Sequence, residues 1–280
     1  QEKILKRDIT ASYYGLQFFM EKEAIYRHLD SLYQNFAHMA KRRFELGETN
    51  YLEKITASSK QRQIQIALEE SKQDVSIART GLFQKIQIPD SILVKDIPIG
   101  RIPLAPIKID DSQEILYYEN NIDLSIAKRQ LETQRLLPDI SLTYFQGTNS
   151  VLEGNLYGYQ AGLKIPLLFG ANASRIKAAK IAERITSEES KDYKIRLNAR
   201  KLELQAQLNK FDSALKYYET EGLHLSDEIL KTAMISFKNG EIDFFQYIQS
   251  LENAYEIQLA YLDNLNKYNQ TVINLNYLTL

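Results

Sequence analysis

Any catalysis or metal binding by this chain would have to come from three histidines, three methionines and dispersed carboxylates, because its 280 residues include no cysteine. A metal site needs ligands that converge on one ion. His28 and His38 are ten residues apart, nearly three helical turns, which separates their rings by about 15 Å along a helix axis. His224 has no ligand partner at a usable spacing. Met20, Met39 and Met234 are too sparse for a soft-metal relay and suit gap filling between helices. The string Gly154-Asn-Leu-Tyr-Gly158-Tyr-Gln-Ala-Gly162 lacks the lysine and the strand–loop–helix setting of a nucleotide loop. Glu188 with Glu189, and Asp110 with Asp111, are acidic neighbours on solvated stretches, with no pocket implied. The expectation is a protein with no catalytic, cofactor-binding or metal-binding residues, and therefore not an enzyme.

The elements available to position side chains are revealed by a phrase that occurs twice. Phe44-Glu-Leu-Gly47-Glu48-Thr-Asn50-Tyr51-Leu-Glu-Lys-Ile55 returns as Phe237-Lys-Asn-Gly240-Glu241-Ile-Asp243-Phe244-Phe-Gln-Tyr-Ile248. In each copy a glycine can end one helix in a left-handed conformation, and an Asx residue three positions on can cap the next. Leu82 and Leu275 continue the same offset downstream. Two copies of one helix–turn–helix unit make the turn an architectural element.

The helical periods extend far from these turns. Residues 4–46 read as an aromatic-rich helix and residues 49–86 as its partner. Pro89, Pro98, Pro103 and Pro106 then forbid a helix and favour extended backbone, giving a connector over residues 87–112. A helix follows over 113–137. From about Asn172 the helical period runs on to Asn239, with Leu204, Leu208, Phe211, Leu215, Tyr218, Gly222, Leu225 and Ile229 forming a heptad seam. The last helix carries Phe244, Ile248, Leu251, Tyr255, Leu262 and Leu265 on one stripe. Helices of this length belong to a rod, a stalk or a tube. Three segments result: 1–86, a partial first repeat; 87–112, the connector; and 113–280, a second repeat with a hairpin at 139–168.

Within the second repeat the period changes to two. Ile140, Leu142 and Tyr144 alternate with Asp139, Ser141 and Thr143; Tyr157, Tyr159, Leu163 and Ile165 alternate with Gly158, Gln160, Gly162 and Lys164. This predicts two strands, apolar on one face and polar on the other, joined by a polar turn over 147–154. Such strands suit either a soluble hairpin packed on a core or a membrane β-barrel. Net charge is −1 with a pI near 6.4, so no nucleic-acid partner is expected, and the near-neutral charge weakens surface binding to anionic lipid, which favours basic helix faces. No apolar run approaches the roughly 20 residues of a spanning helix. The chain opens on Gln-Glu-Lys in mid-pattern, which reads as a processed or trimmed start.

In order and spacing these features resemble the TolC family of outer-membrane efflux proteins. The resemblance rests on Leu137-Pro138 leading into the strand at Ile140, on Gly162-Leu-Lys-Ile-Pro166-Leu-Leu-Phe169-Gly170, on Ala173-Ser-Arg-Ile-Lys-Ala-Ala179, and on the duplicated turns. It implies a mainly α fold: long antiparallel coiled-coil helix hairpins of a TolC-like α-barrel subunit, with one amphipathic β-hairpin. It implies a homotrimer in the full-length protein, located in the outer membrane with most of the chain in the periplasm. Glu45, Gly47, Glu48, Asn50, Lys238, Gly240, Glu241 and Asp243 would form helix tips that bind a periplasmic adaptor (membrane-fusion) protein. That adaptor would link the duct to an inner-membrane RND-type pump. Ile140, Leu142, Tyr144, Tyr157, Tyr159, Leu163 and Ile165 would face outer-membrane lipid. The family carries two hairpins per subunit and this chain one, which reads as N-terminal incompleteness. Wording around residues 136–142 and 165–170 looks most like members associated with heavy-metal cation export. The competing reading is a soluble periplasmic coiled-coil scaffold.

Overall fold

The computed structural model describes residues 2–87, 97–106, 113–149, 152–165 and 169–278. Along the chain come α1 (Glu2–Glu45), α2 (Tyr51–Ile86), α3 (Gln113–Gln134), β1 (Asp139–Asn149), β2 (Leu152–Lys164), α4 (Phe169–Tyr217), a π-helical turn (Tyr218–Gly222), α5 (Leu223–Lys238) and α6 (Phe244–Asn276). Two compact units emerge. The first holds residues 1–107 and 200–280, the second residues 108–199.

In the first unit α1 packs against both α2 and α6, because its apolar residues recur at helical spacing on more than one side. Leu29, Tyr33, Phe36 and Ala40 of α1 meet Ala57 of α2, Ala233 of α5, and Phe244, Tyr247, Ile248, Leu251 and Tyr255 of α6. Nearer the other end of α1, Leu16 joins Val75 and Leu82 of α2. The stripe of α6 read from the sequence is buried along its whole length. Burial pushes the Tyr255 hydroxyl up to about 12, so it stays protonated in the core.

The connector is docked by side chains. Ile99 enters a cluster with Phe18, Leu215, Leu262 and Leu265, and its N–H donates to Glu21 Oε1 at 2.6 Å. The buried amide of Asn269 accepts from Ile102 N–H (2.9 Å) and donates to the Gly100 carbonyl (2.8 Å). Asn276 repeats the pattern, accepting from Ala105 N–H (2.8 Å) and donating to the Pro103 carbonyl (3.2 Å). Seven residues of helix rise about 10.5 Å and three extended residues advance about 9–10 Å, so the two ladders match in step. Arg101 donates to Asp212 (2.6 Å) and to both oxygens of Glu219 (2.8 Å), with its guanidinium 5.2 Å from the Tyr268 ring centroid. This is how a proline-rich segment without ladder partners of its own satisfies its backbone.

In the second unit α3 and the start of α4 run antiparallel. Tyr118 and Tyr193 have ring centroids 4.8 Å apart, Lys194 bonds Glu119 at 3.1 Å, and Arg129 pairs with Glu183. Ile115, Tyr193 and Leu197 are buried there. β1 and β2 form a two-stranded antiparallel sheet.

Several boundaries differ from the sequence expectation. The 113–137 helix stops at Gln134, ahead of Pro138, because the residue before a proline disfavours helix. The strands extend into the region assigned to a turn over 147–154, with Asn149 opposite Leu152 across an irregularity in register. The helix expected from Asn172 to Asn239 begins at Phe169 and is interrupted by the π-helical turn. That turn inserts one residue into the helical count and shifts the seam. Gly222 at its end is buried, and beyond it Ser226 and Ala233 are buried while Leu225 faces solvent. Ser226 is satisfied by donating to the Ala254 carbonyl at 2.9 Å. Of the expected connector, residues 88–96 and 107–112 lie outside the described residues, as do 166–168 of the expected hairpin.

Candidate functional site

The two helix turns are built alike. At the first, Gly47 has φ +75°; its N–H donates to the Phe44 carbonyl (3.0 Å), and Glu48 N–H reaches the Arg43 carbonyl (2.8 Å). At the second, Gly240 has φ +74°, and the matching bonds run from Gly240 to Phe237 (3.2 Å) and from Glu241 to Ser236 (2.9 Å). Both are Schellman closures, in which the left-handed residue lets the chain reverse while the last carbonyls are satisfied. A Cβ at either glycine would meet nothing within 4 Å. The requirement there is conformational and not steric crowding.

The caps differ in chemistry. Asn50 accepts from Glu53 N–H at 2.9 Å, and the Glu53 carboxylate accepts from Arg43 (3.1 Å) and from the Thr49 hydroxyl. Asp243 and Gln246 make a reciprocal capping box, with bonds of 2.8 and 3.0 Å. Glu241 is held by Ser236 (2.8 Å) and Asn239 (3.3 Å). All eight residues expected at the tips, Glu45, Gly47, Glu48, Asn50, Lys238, Gly240, Glu241 and Asp243, are exposed. They fall in two groups of four, one per turn.

An apolar patch at the first turn escaped the sequence reading. Leu46 is 72% exposed, and Tyr51, Leu52 and Ile55 are exposed beside it. Lys54 Nζ lies 4.7 Å from the Phe44 ring centroid, and that ring stands 5.7 Å from Tyr51. Aligning the two phrases residue by residue would have exposed it, since Asn239 replaces Leu46 in the second copy.

In the hairpin, Ile140 lies opposite Leu163, Leu142 opposite Ala161, Tyr144 opposite Tyr159 and Gln146 opposite Tyr157. Side chains alternate along a strand, so the seven residues Ile140, Leu142, Tyr144, Tyr157, Tyr159, Leu163 and Ile165 share one face, with Ile165 one position past β2. All seven are exposed, Ile140 at 83%. The other face holds Ser141, Thr143, Gln160 and Lys164, but also Phe145, whose ring covers Gly158 so closely that a Cβ there would fall 2.2 Å from it. That face is therefore less polar than the alternation suggested, because glycine leaves room for a neighbouring ring.

Among the described residues no group of three His, Asp or Glu could hold a metal ion. His28, His38 and His224 are all exposed, and no described helix is long and apolar enough to cross a membrane.

The sequence matches no protein-family model and no curated protein. The backbone does have counterparts among solved structures. A membrane protein from Pseudomonas aeruginosa superposes with a TM-score of 0.84 at 16% identity, over 98% of this chain and 67% of the other. The outer membrane protein VceC from Vibrio cholerae gives 0.80 at 10% identity, over 98% and 69%. The open state of the MtrE outer membrane channel from Neisseria gonorrhoeae gives 0.79 at 15%, over 98% and 65%. The chain thus spans about two thirds of the length of these structures. Two Schellman-closed helix turns, long antiparallel helices and one amphipathic hairpin on this shared backbone give the chain the TolC-like fold of outer-membrane channels.

Proposed function

We propose that the chain is part of a passive duct subunit of a tripartite efflux system. The hairpin sits in the outer membrane, and the helices stand in the periplasm as one third of a homotrimeric tube. The tips at Gly47 and Gly240 receive a periplasmic adaptor protein. An inner-membrane RND-type pump supplies the energy and selects the cargo, metal cations or small toxic compounds. The observation that carries the reading is the hairpin: seven apolar side chains on one face, all exposed, in a fold shared with outer-membrane channels. A face of that kind in water costs free energy in proportion to its area, and lipid removes the cost.

The test uses the full-length protein in cells. Leu163→Asp places a charge on the lipid face, at a cost that depends on depth and stays below the roughly 2–4 kcal/mol of a cation at the bilayer midplane, and should impair insertion into the outer membrane. Gly47→Val with Gly240→Val should lower export while the protein still reaches the membrane. Normal insertion of the Leu163→Asp protein would mean that this face of the hairpin does not meet lipid, and recovery of the wild type in the soluble periplasmic fraction would favour the periplasmic scaffold instead. Unchanged export by the double valine variant would remove the tips from the docking surface.

A further inference from the structure

We infer that the ends of α3 and α4 next to the hairpin form a basic collar that binds the anionic phospholipid headgroups of the leaflet facing the helices. The inference rests on the hairpin lying in a bilayer. The near-neutral charge of the whole chain conceals a sharp segregation within the second unit. At the hairpin-proximal end of α3 and just past it, the stretch 128–135 holds Lys128, Arg129 and Arg135 against Glu132. On α4 the stretch 175–184 holds Arg175, Lys177, Lys180 and Arg184 against Glu183. The antiparallel pairing of Arg129 with Glu183 sets these two stretches side by side. Farther from the hairpin, residues 113–127 and 185–199 carry six acidic and three basic side chains, so the sign reverses.

The carboxylates of the collar are already used. Glu183 takes Arg129, and Glu132 takes Arg135 at 2.7 Å. Among the described residues, Lys128, Arg175, Lys177, Lys180 and Arg184 make no ion pair, and all five are exposed. The same helix behaves differently beyond the collar. There Lys191 pairs with Glu188, Arg196 with Asp192 and Arg200 with Glu203, each within one turn. Lys177, Lys180 and Arg184 instead stand at i, i+3 and i+7, one stripe of like charge that repels itself in the free chain. With Arg129 they line an open groove of about 730 Å³, and Ile181 stands exposed among them. An anion with apolar chains beneath it matches that mixture.

The distances fit a membrane boundary best at the hairpin-proximal end of the stretch, with Arg184 at its far limit. Arg175 stands six residues into α4, about 9 Å of rise from its start, and Arg184 about 22 Å. Lys128 is about 9 Å from the last residue of α3. Long basic side chains reach farther than their backbones, and the attraction of an anionic surface persists over a Debye length of about 8–10 Å. Exposed Leu136 and Leu137 precede the first strand and Ile165 follows the second, at the level where apolar meets charged.

Vesicle flotation of the full chain tests this, with vesicles of phosphatidylcholine alone and of phosphatidylcholine mixed with phosphatidylglycerol. The wild type should favour the anionic vesicles, and added salt should weaken that preference. The variant Lys177→Gln, Lys180→Gln, Arg184→Gln should lose on the order of tenfold to a hundredfold in partitioning to anionic vesicles, at roughly fivefold for each cation near the surface and less for the more distant Arg184, yet keep its binding to neutral ones. Leu163→Asp should lose binding to neutral vesicles. Equal binding of wild type and triple variant to anionic vesicles would overturn the collar and leave the hairpin reading intact. Binding of Leu163→Asp to neutral vesicles at the wild-type level would overturn the hairpin reading instead. Loss of the preference on adding inorganic phosphate at constant ionic strength would reassign the site from lipid to free phosphate.

Discussion

The two helix turns share a backbone and differ in what surrounds them. Both close through a left-handed glycine, and both are capped by an Asx residue at the same offset. Yet Phe244, at the second turn, is 4% exposed against Phe36 and Tyr247, whereas its counterpart Tyr51 is 60% exposed. Ile248 is buried and Ile55 is not. Local sequence sets the turn, while the neighbouring helix decides whether its apolar residues are core or surface. α1 supplies that neighbour for the second turn, through Phe36 and Ala40. Among the described residues no helix does so for the first turn. In the proposed duct, its apolar surface is available to the adaptor or to an adjoining subunit.

The comparison is open to direct measurement. Phe244→Ala should destabilise the chain by about 3–5 kcal/mol in denaturant unfolding, whereas Tyr51→Ala should change it by roughly 0.5 kcal/mol or less. Equal losses would mean that Tyr51 is covered in solution and that the turns are alike. Valine at either glycine should cost a similar amount, about 1–2 kcal/mol, because both must hold a positive φ without steric crowding. A much larger loss at one turn would reveal contacts there beyond the backbone requirement. The caps give the smallest difference. Asp243→Ala breaks a two-way box and should cost about 1–2 kcal/mol, against about 1 kcal/mol for Asn50→Ala. Thermal unfolding of the two variants side by side would rank them, and a reversed order would show that the Glu53–Arg43 pair depends on Asn50.

What the sequence made legible was local. A glycine before Asx between two helical periods announces a turn, and alternation announces a strand; Gly47, Gly240 and the hairpin face follow from chemistry within a few residues. The π-helical turn was not legible, because Tyr218-Glu-Thr-Glu-Gly222 contains no proline and fits an ordinary helix. The heptad seam was therefore carried through it, which set Leu225 inward and overlooked Ser226. Asn269 and Asn276 were missed for another reason. Their partners lie 167 or more residues away in sequence, and nothing near an asparagine says which distant backbone it will serve. The basic collar was hidden by averaging, since a net charge of −1 is compatible with opposite charges gathered at opposite ends of one helix pair.

The asparagine ladder carries a mechanical consequence. Packed helices rearrange most readily by sliding past one another, and the step natural to a helix is one turn. If α6 slipped by a turn along the connector, Leu265 and Val272, or Ile273, would replace the asparagine amides. The backbone groups of residues 100–105 would then lose their partners at up to four points together, with a loss on the order of 1–3 kcal/mol each at most beside the buried Asn269, and less at exposed Ala105 and Pro103, which water can serve. The ladder acts as a ratchet pawl that resists shear between α6 and the connector.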